Sequence, residues 1–237
     1  MTLATVVGVD GCRDGWVAVT LTGDRVSTVV THTHIVGVFE AAVAAGAVVV
    51  GIDMPIGLAF DGDRPGDNEA RRMLGPRSSS LFPTPVRAVL DAVDYPDACA
   101  RSRAASGKAP SKQAWNLVPR IREVRAALRS GRFGALAVHE VHPETSFVAM
   151  AGRPMAASKK TAPGIAARLD AIEAEMSGLL EATARLADAG PGEPGAALDD
   201  VCDAAAAAWT ARRIATGTAL SLGDGVDDAG FTLGLSV

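Results

Sequence analysis

Cysteine is scarce: three residues in 237, at Cys12, Cys99 and Cys202, widely spaced and in no CxxC pair. An odd, scattered set excludes a disulfide framework and a structural zinc site, and it predicts a reducing compartment. The N-terminus has no basic region followed by a cleavable apolar stretch, and no apolar run reaches the roughly 20 residues of a membrane span. These absences predict a cytoplasmic protein with no membrane partner. There is no internal repeat, and a net charge of -4 argues against indiscriminate nucleic-acid binding through a uniformly basic surface.

What is present is the composition of a folded α/β protein, with 48% hydrophobic and 21% charged residues and a mean hydropathy of +0.20. A chain of this length buries a substantial core, and a single domain over residues 1–237 with an insertion is the expected organisation. Charge is unevenly placed. Residues 101–132 hold Arg101, Arg103, Lys108, Lys112, Arg120, Arg122, Arg125, Arg129 and Arg132 against Glu123, so this segment carries +8 and the remainder -12. Such asymmetry fits an anionic partner near one face, and it fits a solvated helical face equally well.

Residues 4–10 form a β-branched run ending in Asp10, and Trp16–Leu21 and Val26–Thr31 supply two more short strands, with no connection long enough for a crossover helix. An antiparallel meander follows. Ile35, Val38, Phe39 and Val43 keep helical spacing up to Gly46, and 47–52 is a continuous apolar strand ending at Asp53, as a central strand covered on both faces would be. From 55 to about 132 the pattern is polar, proline-punctuated and short-helical, which predicts a helical insertion. Within it, 67–74 suits a helix, Ser111 caps a short one, and Pro119 suits the first turn of another. A strand over 135–141, a long helix over 164–189, a loop over 190–195, a last helix over 198–215 and a glycine-rich tail with one edge strand complete the reading.

Acids gather at the ends of these elements. Asp10, Asp53 and Glu140 each close an apolar strand, and Asp200 and Asp203, three apart, share a face of the last helix. The carboxyl edge of an α/β sheet is where ligands bind, because loops leaving parallel strands splay apart there. Converging carboxylates repel one another unless cations neutralise them, and an all-oxygen donor set favours Mg²⁺ or Mn²⁺. Two such ions about 4 Å apart would suit phosphodiester hydrolysis. Each acid also has a plainer reading. Asp10 opens the Gly11 turn, Asp53 orients the Met54–Pro55 turn, Glu140 pairs with an arginine of the insertion, and Asp200 complements the helix dipole. Arg77, Ser78, His142, Lys159 and Lys160 are candidate substrate contacts, with a structural histidine and solvated lysines as the alternatives. Trp16, Trp115 and Trp209 read as core or interface residues.

The segments Gly8-Val-Asp-Gly-Cys-Arg-Asp-Gly-Trp16, Gly51-Ile-Asp-Met-Pro-Ile-Gly57, Arg77-Ser-Ser-Ser-Leu-Phe-Pro-Thr-Pro85, Glu140-Val-His-Pro-Glu144, Ser158-Lys-Lys-Thr161 and Asp199-Asp-Val-Cys-Asp-Ala204 follow one another in order along the chain. Together they resemble the predicted ribonuclease-H-like nucleases catalogued as domain of unknown function 429. The resemblance implies a mixed sheet of order 3-2-1-4-5 with flanking helices, and it gives catalytic and metal-ligand roles to Asp10, Asp53, Glu140, Asp200 and Asp203. The final Asp-x-x-Asp-Ala is similar to the last catalytic helix of Holliday-junction resolvases. The expected function is a divalent-metal-dependent nuclease acting on DNA or RNA. A nucleotide-dependent phosphotransferase of the sugar-kinase and actin-like class shares such a sheet, but no second glycine-rich phosphate loop and no adenosine motif is present. A binding module without catalysis is the third possibility, and a homodimer is an assembly the sequence leaves open.

Overall fold

Alternating β-branched residues and two tight turns fold residues 5–32 into a meander of β1 (Thr5–Cys12), β2 (Gly15–Thr22) and β3 (Arg25–His32). The computed structural model describes residues 3–186 and 195–237. α1 (Ile35–Ala44) then crosses over, and β4 (Val49–Ile52) lies parallel to β1. β5 (Ala137–Glu140) adds in parallel to β4, giving the order β3-β2-β1-β4-β5 that the family resemblance implied. Among the described residues eight helices accompany this sheet.

Between β4 and β5 come α2 (Pro65–Leu74), two 3₁₀ turns at Gly75–Ser80 and Arg87–Asp91, α3 (Tyr95–Ser106) and α4 (Lys112–Arg129). Val86, Val89, Ala92, Ala98 and Val118 form a small core inside this segment. It packs on the sheet through α4, whose Ile121, Val124 and Ala127 join Val7, Val9, Val50 and Ile52 on the face that α1 also covers. Past β5 run α5 (Pro143–Ala151), α6 (Ala162–Glu175), α7 (Leu179–Leu186) and α8 (Leu198–Ala215). These helices contribute Phe147, Ile172, Leu179, Val201 and the alanines of α8 to the opposite face, against Val6, Val17, Val19 and Val49. The short β6 (Ser221–Leu222) and β7 (Leu235–Ser236) pair near the end of the chain.

Four expectations differ from the structure. Residues 112–129 are one helix running through Pro119, because Ser111 caps it and Ala114, Val118, Ile121 and Val124 continue one buried stripe across the proline. The helix expected over 164–189 breaks after Glu175. Met176 is extended, Gly178 has a φ of 87°, and Ser177 exchanges backbone hydrogen bonds with Asp24 and Val26 beside the edge of β3. Residues 187–189, and all but Gly195 of the loop expected over 190–195, lie outside the described residues. α5 was not anticipated, although Pro143 at its first turn and Gly152 in the left-handed conformation behind it mark both ends. The tail holds a pair of two-residue strands instead of one edge strand.

α8 lies against β1, β2 and β4 at very short range. A Cβ on Gly8 would stand 2.0 Å from the backbone of Ala204 and of Ala208, and one on Gly51 would stand 2.6 Å from the carbonyl oxygen of Ala207. Ala204, Ala207 and Ala208 are wholly buried. Glycine on the strands facing alanine on the helix is therefore a steric requirement at this crossing. Gly8→Ala is expected to destabilise the protein by about 1–3 kcal/mol or more, because rigid backbone must move to admit one methyl group. Urea denaturation of the variant checks this, and a wild-type midpoint would contradict the packing described.

Candidate metal centre

Two strands carry the same short pattern, Gly8-Val9-Asp10 and Gly51-Ile52-Asp53. Side chains alternate across a strand, so each aspartate faces the same side as the glycine two residues before it. Gly8 lies opposite Gly51 and Val9 opposite Ile52, and the Asp53 N–H donates to the Val9 carbonyl at 2.8 Å, which sets the two aspartates side by side at the carboxyl edge. α8 crosses that face, and Asp203 sits on it immediately before Ala204. One carboxylate oxygen from each of Asp10, Asp53 and Asp203 lies within 4.8 Å of the other two.

Burial and mutual repulsion both disfavour ionisation here. Burial first, then the charges of Asp53 and Asp203, raise Asp10 well above the usual carboxylate range. Burial and the Asp203 charge push Asp53 up to about 8, and burial pushes Asp203 up to about 6 against the pull of Lys159. Asp203 Oδ2 accepts a hydrogen bond from Lys159 Nζ, whereas Asp203 Oδ1 is buried with no hydrogen-bond partner. Three carboxylates, one ammonium and an orphaned buried oxygen leave negative charge that a cation would neutralise. An all-oxygen donor set of this kind fits Mg²⁺ or Mn²⁺.

The other two acids stand elsewhere. Glu140 is clamped by Arg64, whose Nη1 and Nη2 donate to its two carboxylate oxygens at 2.7 and 2.5 Å. Arg64 also donates to Asp67 at 2.6 Å and to the Gly57 carbonyl at 2.8 Å, and Glu140 accepts from the Ile56 N–H at 2.8 Å. With its oxygens engaged, Glu140 faces Asp53 as a charged neighbour outside the trio. Arg64 is 2% exposed, so this pair locks the insertion onto β5 from inside. Its signal in the sequence was the i, i+3 pair Arg64 and Asp67. Asp200 turns back to accept from the Ala197 N–H at 3.2 Å and so braces the start of α8.

A cleft of about 370 Å³ opens over Asp10 and Asp53, lined among others by Arg77, Phe82, His142, Lys159 and Lys160. Ser78, in the same 3₁₀ turn as Arg77, does not line it. Lys160 Nζ pairs with Asp199. Burial, followed by the Lys159 charge, pulls His142 down to about 4, and neither of its buried ring nitrogens has a hydrogen-bond partner. His142 is therefore a neutral imidazole at pH 7 with acceptor capacity facing the cleft.

A family model described as "Protein of unknown function (DUF429)" matches residues 8–228. The chain belongs to this family. No curated protein and no solved structure matches it. The matched span includes Asp10, Asp53 and Asp203, and also Asp227, which ends in a buried ion pair of 2.5 Å with Arg125. That pair bears on the basic segment. Arg125 is buried, Arg122 donates to the carbonyls of Leu90 and Ala92 at 2.8 Å, Arg101 pairs with Asp97, and Arg132 pairs with Glu40. Arg101, Arg125 and Arg132 are thus paired with acids of the chain, and Arg122 is held against backbone carbonyls. Free Cys12, Cys99 and Cys202 are all buried, Trp16 and Trp209 sit in the two cores, and no helix among the described residues is long and apolar enough to cross a membrane.

Two outcomes follow. In chelator, the carboxyl groups of the trio hold protons in the folded state that the unfolded chain has already released. Their contribution to stability is therefore lost as pH rises from about 4, where an unfolded Asp ionises, to about 8, where Asp53 ionises in the fold. Asp53→Asn should gain stability on the wild type across that window in chelator, and saturating Mg²⁺ should stabilise only the wild type, by about 2.7 kcal/mol at a hundredfold excess over Kd. Urea titrations at several pH values read both, and parallel wild-type and variant curves would exclude a repelling trio. Arg64→Met should cost about 3–5 kcal/mol, because Glu140 and Asp67 are left buried without their cation. A variant of near wild-type stability would contradict the clamp.

Proposed function

We propose that the protein is a divalent-metal-dependent phosphodiesterase acting on nucleic acid in the cytoplasm, built on a ribonuclease-H-like sheet. The observation that carries this reading is the trio of Asp10, Asp53 and Asp203, drawn from two adjacent strand ends and the last helix, with the buried Oδ1 of Asp203 left without a hydrogen-bond partner. Bound there, Mg²⁺ or Mn²⁺ would supply Lewis-acid polarisation of a phosphoryl oxygen and a water of lowered pKa. The chain's own groups divide the remaining work. Asp10 and Asp53 are held by paired strands and cannot drift apart, which gives the rigidity an octahedral oxygen site requires. Lys159 offsets the charge of Asp203 and reaches the cleft with a third of its side chain exposed, so it is placed to meet a substrate oxygen. The neutral His142 ring offers an acceptor for a hydrogen bond from substrate or water. Arg77 brings positive charge to the wall, where a phosphate beside the reacting one would lie, and Lys160, paired with Asp199, lines it as well. Buried free cysteines suit a reducing cytoplasm.

A panel of end-labelled DNA and RNA, single-stranded, duplex and hybrid, incubated with Mg²⁺ or Mn²⁺, tests the reading. Cleavage should require the metal, and Asp10→Asn and Asp53→Asn should each lower it roughly a hundredfold or more, beyond the loss typical of residues that only support a ligand. Metal binding without cleavage of any member of the panel would overturn catalysis.

A further inference from the structure

The hollow over the trio continues into a second one. Gly11, Arg120 and Lys160 line both, so the 370 Å³ cleft opens past them into a hollow of about 720 Å³ bounded by Arg13 and the start of α8. Three arginines are spread along the combined path. Arg77 lines the cleft with its Nε buried and unpartnered, Arg120 lines both hollows and donates to the carbonyls of Cys12, Arg13 and Gly15, and the exposed Arg13 lines the second hollow. Among the described residues no acid pairs with any of them. Asp14 and Asp200 also line the second hollow, but neither pairs with Arg13 or Arg120, and three guanidiniums without an ion-pair partner along one path suit an anion with several charges in a row.

The wall at the Arg77 end is apolar. Phe82 is 44% exposed and lines the cleft beside Leu81 and Leu117, presenting a ring to solvent where its hydration is unfavourable. An exposed aromatic beside a positively charged groove is the arrangement on which an unpaired base stacks. Depth points the same way. Asp10 and Asp203 are 8% and 1% exposed, so a reacting phosphate must enter the hollow, and 370 Å³ lies near the lower end of the roughly 300–1,000 Å³ of small-ligand sites. A duplex carries its second strand with it and cannot enter a space of that size, whereas a single strand with its bases turned out can.

We infer that the cleft takes one unpaired nucleic-acid strand, with a base stacked on Phe82 beside Arg77 and the strand leaving past Arg120 and Arg13. This assignment rests on the phosphodiesterase reading and names its substrate class. Fluorescence anisotropy of a short labelled DNA strand and of the same strand in a blunt duplex, with Ca²⁺ present, tests it on the whole protein. The single strand should bind at least about tenfold more tightly than the duplex, and Phe82→Ala should weaken it by about tenfold. Arg77→Gln and Arg13→Gln should each flatten the log–log salt dependence by about 0.7. The Mg²⁺-induced rise in melting temperature serves as the control for fold and metal centre, and Phe82→Ala should leave it unchanged. Duplex bound as tightly as single strand, or single-strand affinity untouched by Phe82→Ala, overturns the inference while metal-dependent cleavage of duplex would keep the phosphodiesterase reading. Neither nucleic acid bound, with the Mg²⁺ shift intact, overturns both.

Discussion

The backbone of α8 lies on the backbone of two strands, and the site depends on that contact. Helices usually stand off a sheet by the depth of their side chains. Here glycine at positions 8 and 51 and alanine at 204, 207 and 208 remove that depth, and the helix descends until a single Cβ on Gly8 would overlap it. Asp203, one residue before this alanine face, is carried down to the strand ends where Asp10 and Asp53 already lie together. Longer residues at the crossing would hold the third carboxylate away from the other two. The alanine-rich run of α8 is thus a geometric requirement of the trio.

Charge is handled differently in the two acidic neighbourhoods, although they are adjacent. Around Glu140 and Asp67 the compensating cation is the buried Arg64, held by five hydrogen bonds to side chains and backbone, so the charge is settled within the chain. Around Asp10, Asp53 and Asp203 the only partner donating to the trio's side chains besides the Gly11 N–H is Lys159, among the described residues. The first arrangement fixes the insertion to the sheet and the second keeps binding capacity in reserve. Removing two charges from water is costly in either case, and the difference lies in whether the chain itself supplies the return.

The full order of the strands came from the family resemblance and the meander from its short connections, whereas the strands themselves were legible because their period-2 and continuous apolar runs are local properties. Asp10, Asp53 and Asp203 could be nominated as strand-end and helix-face acids for the same reason. The register that pairs Gly8 with Gly51 was also written in the sequence, as two copies of Gly-x-Asp, and reading those glycines as the seat of a helix would have singled out the trio. Glu140 and Asp200 looked equivalent to the others at that level. Their surroundings come from Arg64, 76 residues before Glu140 in sequence, and from a turned-back side chain at the start of α8, and neither is set by spacing. The charge of residues 101–132 could be counted from the sequence, but net charge does not record which guanidinium is folded against a carbonyl, as those of Arg122 and Arg125 are.

The central claim is that the contact between α8 and the two strands builds a divalent-cation site from Asp10, Asp53 and Asp203. Titration with Mn²⁺, followed by the loss of its free-ion electron paramagnetic resonance signal, reads occupancy without any assumption about substrate. The account predicts saturable binding to the wild type, weakened by roughly a hundredfold or more in Asp203→Asn, in a protein that still melts cooperatively. Equal Mn²⁺ binding by the folded wild type and Asp203→Asn would contradict it.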